Sequence, residues 1–209
     1  KSAVEEYTEK NADFHQIVAD MANIPRKQAK MINLGLSYGM GKEKLIKELG
    51  LDDTEAEKLF KQYHEKVPFI RALQDQCARV AMDRGYIRTF AGRRCRFDRW
   101  ESRYEKSTPL PLEEAKQKYG EDLKRSFTYK AMNRLIQGSA ADMTKLAMLG
   151  LWEEGIVPHL QVHDEVDISV ENTEQANKIV HIMEHCVELA VPLLVDKELG
   201  KSWGEIEEV

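Results

Sequence analysis

Five consecutive residues, Gln161-Val162-His163-Asp164-Glu165, set an imidazole and two carboxylates between two apolar runs. Residues 157–162 are strand-like, and downstream Val166, Ile168 and Val170 alternate with Asp167 and Ser169, so His163-Asp164-Glu165 falls at or near a turn. On one unbroken strand Asp164 would share the apolar face of Leu160, Val162, Val166 and Ile168. A bare carboxylate buried there costs several kcal/mol unless a cation or a hydrogen-bond donor meets it. A metal-dependent hairpin is one account of this segment, and an acidic turn exposed to water is the other.

A second segment, 25–39, reads as a helix with Pro25 at its start and Gly39 near its end. Arg26, Lys30, Leu34 and Tyr38 recur every fourth residue, each step drifting by about 40° around the axis. They form one slowly winding stripe of two cations, an apolar side chain and an aromatic ring. Such a stripe suits a ligand with phosphates at one end and a flat base at the other. Gly35 and Gly39 leave room for a ring to approach the backbone. The same spacing is also that of an amphipathic helix with a solvated basic face.

Other elements must carry these two. Val4, Tyr7, Phe14, Ile17, Val18 and Met21 suggest a leading helix, and Thr54-x-x-Glu57 is a capping box opening another through about Glu65. Pro68 starts a helix to about Asp83, and Tyr86–Phe90 with Arg94–Phe97 form a small hairpin around Ala91-Gly92. The stretch 98–124, with Pro109 and Pro111, reads as a surface excursion holding one short helix. A long helix is predicted over 125–154, then the hairpin at Asp164, a helix over 173–189 and a terminal strand near 193–199. Helices followed by an antiparallel sheet make the class α+β.

The chain has 209 residues, 42% apolar and 32% charged, enough for one sizeable core or two coupled subdomains. Its start, Lys1-Ser2-Ala3-Val4, carries no initiator Met and no apolar signal core, and no segment approaches a transmembrane length. Cys77, Cys95 and Cys186 are odd in number and far apart, which suits free thiols in a reducing cytoplasm. His181, His185 and Cys186 have no second ligand pair at zinc spacing. Net charge is −5, yet Arg84, Arg88, Arg93, Arg94, Arg96, Arg99 and Arg103 lie in a stretch with only Asp98 and Glu101 as acids. Tyr86, Phe90, Phe97 and Trp100 interleave with them. A local basic stripe can hold a phosphate backbone within an acidic whole; a solvated hairpin with core aromatics has the same composition.

Together the helix at 25–39 and the Val162-His163-Asp164-Glu165 segment resemble the fingers helix and the palm motif of the family A DNA polymerases. Asn133-Arg134-Leu135-Ile136-Gln137-Gly138 is similar to that family's helix facing the primer-template minor groove, and Arg84–Thr89 with Gly92-Arg93-Arg94 and the closing 191–195 extend the likeness in the expected order. The resemblance implies fingers over 1–124 and the carboxyl-terminal palm over 125–209. It implies template-directed nucleotidyl transfer from dNTPs to a primer end, with two magnesium ions, for which manganese can substitute. On that basis Asp164 is a metal ligand and Glu165 a second one or a tuning group, Arg26 and Lys30 bind the triphosphate, and Lys30 can donate a proton to the leaving group. Leu34 and Tyr38 border sugar and base, and His163 and Gln137 meet the primer end. Asn133 meets the duplex, and Tyr129, Lys130, Arg88, Arg93 and Arg94 join the DNA-binding set. The expected setting is the cytoplasm of a bacterial or phage-infected cell.

Three departures accompany the likeness. Leu34 stands where the family has an aromatic residue, of which Tyr admits dideoxynucleotides and Phe rejects them. Tyr129, beside Lys130, stands where an Arg is common. The family's other metal-binding Asp, in an Asp-x-Ser motif, has no counterpart among these residues. The expectation is therefore a fragment, inactive alone, whose partner is an amino-terminal polypeptide carrying the thumb and that Asp; Leu34 and the excursion lean towards a phage enzyme. Two other readings share these features: part of a single-subunit RNA polymerase, and a non-catalytic nucleic-acid-binding remnant.

Overall fold

Apolar residues three and four apart drive the first half of the chain into helices that bury one face each. The computed structural model describes residues 14–66 and 68–208; Val4 and Tyr7 of the leading helix lie outside them. In order come α1 (Phe14–Ala22), α2 (Arg26–Ser37), α3 (Lys42–Leu49), α4 (Asp53–Lys66) and α5 (Pro68–Arg84). The hairpin β1 (Tyr86–Arg88) and β2 (Arg94–Arg96) follows, then β3 (Trp100–Ser102), α6 (Leu112–Tyr119) and β4 (Leu123–Arg125). After a 3-10 turn at Thr128–Lys130 come α7 (Ala131–Glu153), β5 (Leu160–Val162), β6 (Glu165–Asp167), α8 (Thr173–Glu184), β7 (Glu198–Gly200) and β8 (Ile206–Glu208). Among the described residues the strands pair only two by two, all antiparallel: β1–β2, β3–β4, β5–β6 and β7–β8. The class is α+β.

Described residues 14–138 form one compact unit and 139–208 belong to a second. Phe127, Ala131, Met132 and Leu135 pack with Cys77, Ala81, Ile87 and Phe97 in the core of the first unit. A second core of that unit gathers Val18 and Ala19 of α1, Ala29, Ile32 and Leu36 of α2, Leu45 of α3, and Leu59 and Tyr63 of α4. Burial of each larger aliphatic side chain stabilises by about 1.5–3 kcal/mol, so the apolar face of α2, and not its basic stripe, holds that helix in place. The core of the other unit joins Leu151, Ile156 and Ile179, with Val166, Ile168 and Val170 against them.

Several local expectations shift. The cap of α4 is Asp52 with Glu55, not Thr54 with Glu57: Glu55 N donates to Asp52 Oδ1 (2.8 Å) and Asp52 N to Glu55 Oε2 (3.2 Å). Glu57 instead pairs with Lys42 at 3.0 Å. Stretch 98–124 holds the expected short helix, but strands close it, Trp100 facing Arg125 and Ser102 facing Leu123. The long helix begins only at Ala131, since Phe127 turns the chain with φ of 62°. Helix α8 ends at Glu184, and the terminal strand pairs at Glu198–Gly200 rather than over 193–199. Among the described residues no helix is long and apolar enough to cross a membrane.

Candidate functional site

Helix α2 starts from Pro25, whose ring presets φ at −57°. Ala29, Ile32 and Leu36 are buried, while Arg26, Lys30 and Leu34 are exposed and Tyr38 caps the carboxyl end, half-buried. Its end is a Schellman motif: Met40 N donates to Gly35 O (2.8 Å) and Gly39 N to Leu36 O (3.1 Å), with Gly39 left-handed at φ of 87°. A methyl group at position 35 would meet Met40 Cε at 2.0 Å. The two glycines therefore terminate the helix and seat Met40.

Tyr38 packs against the core around Cys77 and Ala81, and its hydroxyl accepts a hydrogen bond from Gln137 Nε2 at 2.9 Å. The next residue, Gly138, lies against the β1–β2 hairpin. A Cβ there would meet Thr89 Cγ2 at 2.8 Å, and Arg93 Nη2 donates to the Gly138 carbonyl at 2.8 Å. Arg93 thus has a structural partner of its own. Residues on α2, the start of α7 and the hairpin are in this way gathered within one compact unit.

Ile87 is buried and Cys95 partly so, which leaves Arg88 and Arg94, cross-strand partners, on the exposed side of the hairpin. Both lean on the Tyr86 ring, at 5.8 and 4.8 Å from its centroid. Like charges set directly opposite on a ladder repel, and an anion laid between them removes the repulsion. Lys130 Nζ lies 4.9 Å from the Phe127 ring and 5.7 Å from the exposed Tyr129 ring, and Asn133 is half-buried on α7. Two arginines carry structure that sequence inspection did not single out. Arg134 donates to the Arg96 carbonyl (3.0 Å) and covers Phe97. Arg125 donates to the carbonyls of Met82 (3.1 Å) and Phe97 (3.0 Å) over the Trp100 ring. Only the interleaving of aromatics with arginines hinted at them.

In the second unit, Val162 pairs with Glu165, so His163 and Asp164 make a two-residue turn. His163 has φ of 56°, uncommon for a side chain with a Cβ, and the Gln161 side-chain amide donates to its carbonyl. His163, Asp164 and Glu165 are all exposed, so Asp164 escapes the apolar face that an unbroken strand would give it. Val166 and Ile168 anchor the hairpin on its core. Among the described residues no group of three or more His, Cys, Asp or Glu side chains could hold a metal ion. Asp164 and Glu165 are two exposed carboxylates in succession, a donor set that a divalent cation can use when water and phosphate complete its shell.

DNA polymerase family A matches residues 3–205 of the chain. A DNA-directed DNA polymerase of Pseudomonas phage M6 is 37% identical over 93% of this chain and 31% of that protein. The thermostable DNA polymerase I of Thermus filiformis is 33% identical over 88% of this chain and 21% of its own. Among solved structures, the POL domain of Pol1 from M. smegmatis, in complex with DNA primer-template and dNTP, superposes with a TM-score of 0.68 at 26% identity, covering 91% of this chain and 34% of that one. The chain spans about a third or less of the length of these relatives. With the family's model matching nearly the whole chain and phage and bacterial DNA polymerases similar over most of it, the chain belongs to DNA polymerase family A.

Proposed function

We propose that this chain is the nucleotide-binding and carboxyl-terminal catalytic portion of a DNA-directed DNA polymerase. It would transfer nucleotidyl groups from dNTPs to a primer 3′-end. The observation that carries the reading is the exposed line of Arg26, Lys30 and Leu34 ending at Tyr38, itself bonded to Gln137. Described residues 14–138 then serve as fingers with the start of the groove helix, and the hairpin at Asp164 as the carboxyl-terminal palm.

Arg26 and Lys30 would bind the triphosphate, and Lys30 would deliver a proton to the departing pyrophosphate. Leu34 would face the sugar and Tyr38 the base, with His163 and Gln137 at the primer end. Asn133, Tyr129, Lys130, Arg88, Arg93 and Arg94 would line the primer-template. Asp164, with Glu165 beside it, would hold divalent metal, for which magnesium fits and manganese can substitute. When bound, two such ions activate the 3′-hydroxyl and stabilise the leaving group. The other carboxylate ligand would come from an amino-terminal polypeptide, so these 209 residues alone should not extend a primer.

Primer extension tests this directly. The chain mixed with a family A polypeptide carrying thumb and Asp-x-Ser motif should extend a primer in magnesium and dNTPs, with a raised KM for dNTPs in Lys30→Ala and Arg26→Ala and slower chemistry in Lys30→Ala. Wild-type nucleotide kinetics in both variants, with loss of DNA affinity alone, would make the stripe a duplex-binding face. Failure of the mixture to bind primer-template and dNTP would remove the polymerase reading.

A further inference from the structure

Asn33 is a polar residue on the buried face of α2, 8% exposed beside Ile32 and Leu36. Apolar contact has no direction, so a helix seated on hydrocarbon alone can roll a little at small cost. Hydrogen bonds at Asn33 remove that freedom. The hydroxyl of Tyr63, itself 1% exposed, donates to Asn33 Oδ1 at 2.9 Å. With the oxygen so engaged, Asn33 Nδ2 is the donor to His15 Nδ1, 2.9 Å away. One side chain thereby ties α2 to both α1 and α4. Asn33 follows Lys30 by three residues and immediately precedes Leu34. Any roll allowed at Asn33 swings both of those side chains in the same sense.

We infer that Asn33 is a positioning residue for nucleotide selection, oriented by the Tyr63 hydroxyl, which sets the azimuth at which Lys30 and Leu34 meet a nucleoside triphosphate. This rests on the triphosphate reading of α2. Tyr63→Phe keeps the ring and deletes the donor; Asn33→Leu keeps the volume and deletes the amide. Tyr63→Phe takes the donor from the buried Asn33 Oδ1, and Asn33→Leu takes the amide from both Tyr63 and His15. The double variant removes both members of the Asn33–Tyr63 bond and regains the part of the stability lost there, the His15 bond staying lost.

The test compares the thermal melting temperature with the Kd for a fluorescent N-methylanthraniloyl-dATP in magnesium, on the full chain and with Lys30→Ala as control. Both single variants should melt earlier and bind roughly tenfold more weakly, the scale of one lost hydrogen bond. The double variant should melt above Asn33→Leu alone, recovering part of the lost melting temperature, and keep the weak Kd. If its affinity returns together with its melting temperature, the pair is structural only and the inference is overturned. If the wild-type chain does not bind the probe, or Lys30→Ala binds it equally well, the triphosphate reading of α2 falls and this inference falls with it.

Discussion

Gln137 and Tyr38 lie 99 residues apart in sequence and are joined side chain to side chain at 2.9 Å. The amide on α7 and the phenol at the end of α2 thus report on each other. A double-mutant cycle with Tyr38→Phe and Gln137→Leu should give a coupling of about 0.5–1.5 kcal/mol in urea denaturation, the net worth of such a bond. Because the pair is exposed, the lower end is expected. Strict additivity would mean that the two side chains do not meet in solution.

On the proposed polymerase reading, Asp164→Asn, in the chain combined with a family A polypeptide carrying the thumb and Asp-x-Ser motif, should lower the single-turnover rate by several orders of magnitude and leave primer-template affinity almost unchanged. A metal-binding carboxylate acts mainly on charge that develops in the transition state. A near-normal rate in the Asn variant would take Asp164 out of the active site.

Leu34 is 42% exposed on the stripe and offers no hydrogen bond to a sugar. On the same reading, the chain combined with such a polypeptide should discriminate strongly against dideoxynucleotides, and Leu34→Tyr should relax this by roughly tenfold or more, since a phenol restores one hydrogen bond. Competition between dideoxy and normal thymidine triphosphate during extension reads it out. Equal discrimination in both proteins would place sugar recognition elsewhere.

Gly85 has φ of 75°, and a Cβ on it would meet Arg125 Cζ at 2.7 Å. Gly85→Ala combines backbone strain with displacement of a guanidinium that holds two carbonyls, and should cost about 1–3 kcal/mol. A melting temperature equal to that of the wild type would show that Arg125 is not seated there.

His64 is held below its ordinary pKa, first by burial and then by Arg71, with its ring edge-on to Phe60 at 4.5 Å. A lowered folded-state value means that the unfolded chain takes up the proton first. Its stabilising contribution is complete above pH of about 6.5 and is lost as pH falls through the lowered value. His64→Phe should flatten that acid-side loss in a series of melts from neutral to mildly acidic pH. An unchanged slope would assign the acid sensitivity to other groups.

Periodicity located what is set by local sequence. The stripe on α2, the Ala91-Gly92 hairpin and the turn before Glu165 were legible because each repeats or breaks a pattern within a dozen residues. The start of α7 was not, because Phe127 adopts a left-handed backbone that its residue type does not announce. Nor were Arg125 and Arg134 legible as structural, since their acceptors are carbonyls at Met82, Phe97 and Arg96, far away in the chain. Asp52-x-x-Glu55 and Thr54-x-x-Glu57 both have the pattern of a capping box, and only the backbone geometry selects the first.

The chain leaves the body of its unit at Trp100 and returns beside it at Arg125, the two paired across the first rung of a ladder. Whatever happens beyond that rung is mechanically decoupled from what lies before it, because the ends stay the same distance apart. Lineages can lengthen, trim or exchange such a segment without disturbing the core of the unit, and a protein engineer has there a natural socket for a reporter peptide.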